Sequence, residues 1–342
     1  MSVATKRRRQ VLTALGAGLF LLLSGLLVTT TQSTQTVLRS PPESLSPRLV
    51  AAPDTVAEIS VVTADESFQL RRTLEGWALV SHDGYAADAE LADRLITGIA
   101  SLEPVGERTR TLSGYARLSL GAPESGGNAT HIVMLDNNDR ELANLLIGDS
   151  RADGHVYVRR YDEVTSWLTR GYLPDFADVT QWMQLDFLSQ ERSAIREACV
   201  LPEDGAGYCL LRPSLSSEAF NLVSPRGWEL VSPGAGDGVA TVLGRIRFRD
   251  VRPIAAMRGP HVAEHRISTV NGLEITLFIY ETEGQYWARI LAVAHSDSAR
   301  QAAVALNERA DGWAFALSDL TVDRLIRPLS GLAVQVSELP DN

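Results

Sequence analysis

The chain has 342 residues, 45% of them hydrophobic and 22% charged, with a formal net charge of −10. That is long and apolar enough for one large core or two ordinary ones, and the acidic balance excludes an extended nucleic-acid surface. Two cysteines exclude a disulfide-dense scaffold and a four-cysteine zinc site, and Lys6 is the sole lysine, so none beyond the N-terminus can form a Schiff base or hold phosphate.

Four basic residues, Lys6, Arg7, Arg8 and Arg9, precede an uncharged run from Val11 to Val28. As a helix that run spans roughly 27 Å, close to the hydrocarbon thickness of a bilayer. Residues 1–10 therefore read as a cytoplasmic basic tail and 11–29 as a single transmembrane helix. The positive-inside rule then places the N-terminus in the cytoplasm and the rest in the periplasm, at the inner membrane. A cleaved export signal shares the basic and apolar parts, but no small-x-small site stands out in VTTTQSTQ. Residues 30–53, rich in Ser, Thr, Gln and Pro, read as a disordered tether.

GWALVS at Gly76–Ser81 recurs as GWELVS at Gly227–Ser232, each after a strand-like FQL or FNL. This points to a tandem duplication, with unit one at 54–185, unit two at 190–330 and a tail at 331–342. In unit one, Ile59–Val62 and Ser67–Leu74 alternate as a hairpin, and Trp77–Val80 adds a strand. Asp88 is the expected N-cap of a helix whose face carries Leu91, Leu95, Ile96, Ile99 and Leu102. His131–Leu135 and Glu141–Gly148 form a second hairpin, and His155–Arg160 a further strand. In unit two, Leu273–Tyr280 and Tyr286–Ala294 form the matching hairpin. Ser296–Arg309 is helical, Trp313–Leu317 extended, and Asp319 opens a closing helix. The expected fold class is α+β: a tandem repeat of antiparallel-sheet-plus-helix units behind one N-terminal transmembrane helix. Trp77 and Trp228 are the expected core anchors of the two units.

These GW units, with LLIG at Leu145–Gly148, VYVRR at Val156–Arg160 and the closing Trp182, resemble the domain of unknown function 4340 family across most of 55–330. The resemblance implies an exported repeat behind one span, found alongside ABC-transporter components of the gliding-motility type. It brings no catalytic residues to carry over. Unit two departs from the pattern in its shortened, Gly-rich helix entry.

Four strings bear on chemistry. HVAEH, His261–His265, has the order in which two histidines on one helical turn hold zinc with Glu264 as base. Gly259 and Pro260 before it and a strand after it leave about one turn, which favours a surface connector. GAGDG, Gly234–Gly238, lies between a strand and a helix but lacks the spacing of a nucleotide-binding glycine loop. Arg245, Arg247, Arg249 and Arg252 alternate with apolar residues, as a solvated strand face or as a docking patch for an acidic partner or anionic polymer. Cys199 and Cys209 flank a Pro/Gly turn. An oxidising compartment favours a bond between them, and two separate buried thiols are the alternative.

The sequence is thus read as a membrane-anchored, non-enzymatic interaction protein with no cofactor, an accessory of an ABC-type transport system. Its expected partners are the inner membrane and transporter subunits, with no nucleic acid. An exported polysaccharide-binding module is the alternative, and a zinc hydrolase using His261, Glu264 and His265 the second.

Overall fold

A computed structural model describes residues 40–244 and 246–336, and the compact unit that begins at Glu43 is built on sheets. Nine strands open it: β1 (Val56–Val62), β2 (Ser67–Thr73), β3 (Gly76–Leu79), β4 (Tyr85–Ala86), β5 (Glu103–Thr109), β6 (Thr130–Asp136), β7 (Glu141–Arg151), β8 (His155–Arg160) and β9 (Ser166–Arg170). They form sheet one in the order β4-β3-β2-β1-β6-β7-β8-β9-β5. The next nine are β10 (Ile195–Pro202), β11 (Tyr208–Leu211), β12 (Asn221–Ser224), β13 (Trp228–Leu230), β14 (Val251–Pro253), β15 (His261–Thr269), β16 (Leu273–Thr282), β17 (Gln285–Ala294) and β18 (Trp313–Ala316). Eight of these make sheet two, β12-β11-β10-β15-β16-β17-β18-β14, while β13 leaves it to pair with β19 (Ala333–Gln335). The strand pairings are antiparallel throughout the described residues.

Helices are few among the described residues: α1 (Pro47–Ala51), α2 (Ala89–Ala100), α3 (Leu112–Arg117), α4 (Asp237–Ala240), α5 (Arg300–Ala310) and α6 (Asp319–Leu325). The Asp88 carboxylate caps α2 by accepting from the Leu91 N–H at 3.0 Å, and Leu95, Ile96 and Ile99 are buried on its inner face.

The expected helix-and-sheet repeat is corrected to a sheet-rich fold. Between β4 and β5 stands the 12-residue α2, but between β13 and β14 only the four-residue α4. The glycines at 234, 236 and 238 disfavour helix, and Gly234 sits at φ 79°. Conversely, α5 lies between β17 and β18, where β8 and β9 are joined by a short turn. What recurs is the strand order, with the fifth strand of each series beside the ninth. The GW strings fall out of that register: Trp77 lies on the third strand of its series and Trp228 on the fourth. The expected transmembrane helix, at 11–29, lies outside the described residues, and none of the described helices is long and apolar enough to cross a membrane.

One apolar core runs through both sheets. It includes Ile59, Ile132 and Val158 from sheet one and Ala198, Ile267, Leu277 and Ile290 from sheet two. The start of the unit is fastened into it. Leu45 and Leu49 are buried, the Arg160 guanidinium donates to the Ser44 and Leu45 carbonyls at 3.0 and 2.7 Å, and Arg48 donates to the Glu141 carbonyl at 3.2 Å. Burying two leucines contributes about 3–5 kcal/mol against the entropy of ordering this stretch.

Candidate functional site

HVAEH forms neither a helix nor a connector: it is the first half of β15, in the middle of sheet two. Ala263, His265 and Ile267 point into the core, so the string carries a strand alternation in which one buried position is a histidine. The His265 Nδ1–H donates to the Leu325 carbonyl at the end of α6 at 2.9 Å, while its Nε2 is buried without a partner. Desolvation pushes the His265 pKa down to about 4, so the ring is neutral near pH 7. His261 is half-buried, with its Nδ1 3.0 Å from the Glu203 carboxylate. Four residues along a strand cover about 13 Å, too far for His261 and His265 to share one zinc ion.

The cysteines meet across the β10–β11 hairpin as directly opposed residues, with Cα atoms 4.1 Å apart, and are joined by a disulfide. Their sulfurs lie near Glu197, a grouping of potential metal ligands, but the bond leaves no thiolate to bind an ion. In the glycine loop, Asp237 is already engaged: its carboxylate is 2.6 Å from the Arg192 guanidinium and accepts from the Phe220 N–H at 3.2 Å.

Of the arginine series, Arg245 lies outside the described residues. Arg247 and Arg249 are exposed, alternating with buried Ile246 and Phe248 on an irregular segment before β14. Arg252 is held inward, its guanidinium 3.8 Å from the Trp287 ring centroid and 3.9 Å from the Glu283 carboxylate. Of the described members of the series, Arg247 and Arg249 are thus the two that stand exposed. Trp77 is a buried part of the core, whereas Trp228 is half-buried on β13.

A further candidate surface, which the sequence did not single out, is the outer face of sheet two. Cross-strand register places Leu201, Glu264, Phe278 and Arg289 in one row. Cys199, Arg266, Thr276 and Leu291 form the next, and Glu197, Ser268, Glu274 and Val293 the third. Leu201, Leu291 and Val293 remain 37–40% exposed, Arg289 stacks over Phe278 at 5.8 Å, and Arg266 reaches Glu264 at 3.4 Å. The opposite side holds Ile267, Ile275, Leu277 and Ile290 in the core, and α5 lies against β17, where its Val304 and Asn307 border a cavity with Arg289 and Leu291. The sequence signal was present in LEITLFIYET: apolar and aromatic residues occupy both parities of β16, although only one side is packed.

Comparison with known proteins places the middle of the chain. Residues 77–230 match the family described as domain of unknown function DUF4340. The resemblance drawn from the GW, LLIG and VYVRR strings is therefore borne out, over a narrower span than 55–330. The DUF4340 span starts at the tryptophan of the first GW and ends just after that of the second. It takes in most of sheet one and the β10–β13 series, but not β15–β17. No curated protein and no solved structure matches the chain.

Proposed function

We propose that this protein works by binding rather than turnover, as a single-pass inner-membrane accessory of an ABC-type transport system with its folded part in the periplasm. The observation that carries the reading is the outer face of sheet two. A broad antiparallel face that mixes Leu201, Phe278, Leu291 and Val293 with Arg266 and Arg289 has the composition of a protein-binding surface. Aromatic, aliphatic and arginine side chains supply affinity there, and the charges set the orientation. The Cys199–Cys209 bond supports an oxidising compartment, and the basic-then-apolar N-terminus supports the membrane tether.

Gentle solubilisation of membranes followed by purification of the full chain tests this. A transporter ATPase and permease are expected to co-elute, and the double variant Leu291→Asp with Phe278→Asp to lose them while keeping its circular dichroism spectrum. A clean monomer from wild-type membranes overturns the proposal.

A further inference from the structure

A second surface, apart from the docking face, is a cleft of about 620 Å³ where the β3–β4 edge of sheet one meets β18 and the end of α5. Its floor is aromatic, made by Trp77, Tyr85 and Trp313, with Tyr85 and Trp313 in edge-to-face contact at 5.0 Å. The Tyr85 hydroxyl donates to the Gln184 carbonyl at 2.8 Å, and burial holds its pKa well above the ordinary tyrosine range. It therefore stays a neutral phenol that can still accept a hydrogen bond from the cleft. Glu75, Glu308 and Arg309 stand exposed on the rim. Clefts between packed layers that combine an aromatic floor with a few polar groups are the commonest places for small ligands.

The charges present select among ligand chemistries. A cationic guest would compete with guanidinium groups already there. Arg309 lines the cleft and is close enough to Tyr85 to act on its ionisation, and Arg72 covers the Trp77 ring from outside the cleft at 4.6 Å. An anion would meet the Glu75 and Glu308 carboxylates. A purely apolar guest would strip water from this charged rim without replacing its hydrogen bonds. A neutral molecule with one C–H face and several hydroxyls avoids all three penalties. Its C–H face would lie on partly exposed Trp313, and its hydroxyls would reach carboxylate, guanidinium and phenol oxygen.

We infer that this inter-sheet cleft is a binding site for a neutral saccharide. The site is distinct from Arg247 and Arg249 and from the outer face of sheet two, so its failure would leave the transport reading standing, and the reverse.

The experiment is a titration of intrinsic tryptophan emission, using the full chain in a detergent without a sugar headgroup. The probes are maltotriose, cellotriose and chitotriose, with choline and inorganic phosphate for comparison. At least one trisaccharide is expected to saturate with a Kd of about 1 mM or tighter, and choline and phosphate to leave the signal unchanged. Trp313→Ala should weaken binding about tenfold. Because that change also removes the contact with Tyr85, Glu308→Gln on the exposed side of α5 is the second variant. It should weaken binding several-fold with an unchanged Tm, while Arg247→Ser with Arg249→Ser has no effect. Lack of saturation by all three sugars overturns the assignment. So does tighter binding of choline or phosphate, or a Glu308→Gln protein that binds as wild type.

Discussion

His265 is the residue whose chemistry is most constrained by its surroundings. It is fully buried on β15, gives its one N–H to Leu325, and has nowhere to place a second proton. Its folded pKa, about 4, lies below the ordinary histidine value of 6.5, so the unfolded chain binds more protons between those two values. Stability from this group is fully present above pH 6.5 and is lost as pH falls through 4, by about 3 kcal/mol over that window. Denaturant titrations at pH 7 and pH 4.5 should show that loss, and His265→Leu should flatten the slope while leaving other titrating groups in place. Gly259 is constrained by space instead. A Cβ there would lie 1.5 Å from the Glu281 carbonyl oxygen, which is backbone and cannot swing aside. Gly259→Ala should destabilise by about 2 kcal/mol or more, read as a lowered denaturation midpoint.

At the scale of elements, α5 protects an edge. The last strand of sheet two to pair with β17 covers only Trp287–Arg289, so the residues beyond it would present open backbone groups. The Asn307 side chain fills that place: its Oδ1 accepts from the Ala292 N–H and its Nδ2 donates to the Ala292 carbonyl, both at 2.8 Å. Asn307→Ala should cost about 1–3 kcal/mol and raise amide exchange at Ala292, while exchange at Leu277 in the core stays slow. Much of this level was legible in the sequence. Asp88 and the 3.6-residue spacing of Leu91, Leu95 and Ile99 announced α2, alternation announced the β1–β2 hairpin, and two long apolar runs on either side of Gly284 announced the β16–β17 hairpin. What misled was local similarity. The two GW strings invite superposition, but partners in a sheet are chosen by long-range pairing, and that moved Trp228 onto β13, outside its sheet. HVAEH resembled a metal motif because a histidine occupied a core position of a strand, and no short window reveals the α6 carbonyl that accommodates it. The face formed by Leu201, Phe278 and Leu291 comes from three separate stretches of chain and exists only once the register is set.

For the molecule as a whole, the closing pair β13–β19 ties position 228 to position 335, joining the middle of the chain to its end. Val231 donates to the Leu332 carbonyl and Val336 to the Gly227 carbonyl, both within 2.9 Å, so the tie extends beyond the strands themselves. A chain stopped after Gly331 should keep both large sheets and lose this one. The expected readout is a red shift of the Trp228 contribution to emission, isolated by comparison with Trp228→Phe, together with a lower Tm. Near-UV circular dichroism should retain the bands of tryptophans packed in the two large sheets. The recurrent strand order also fixes a timetable. Every strand of sheet one lies within residues 56–170 and every strand of sheet two within 195–316, with no strand exchanged between them. In each, the fifth strand must wait for the ninth before it can dock. A chain emerging from its N-terminus can therefore finish sheet one while sheet two is still being made, and the β13–β19 pairing comes last of all.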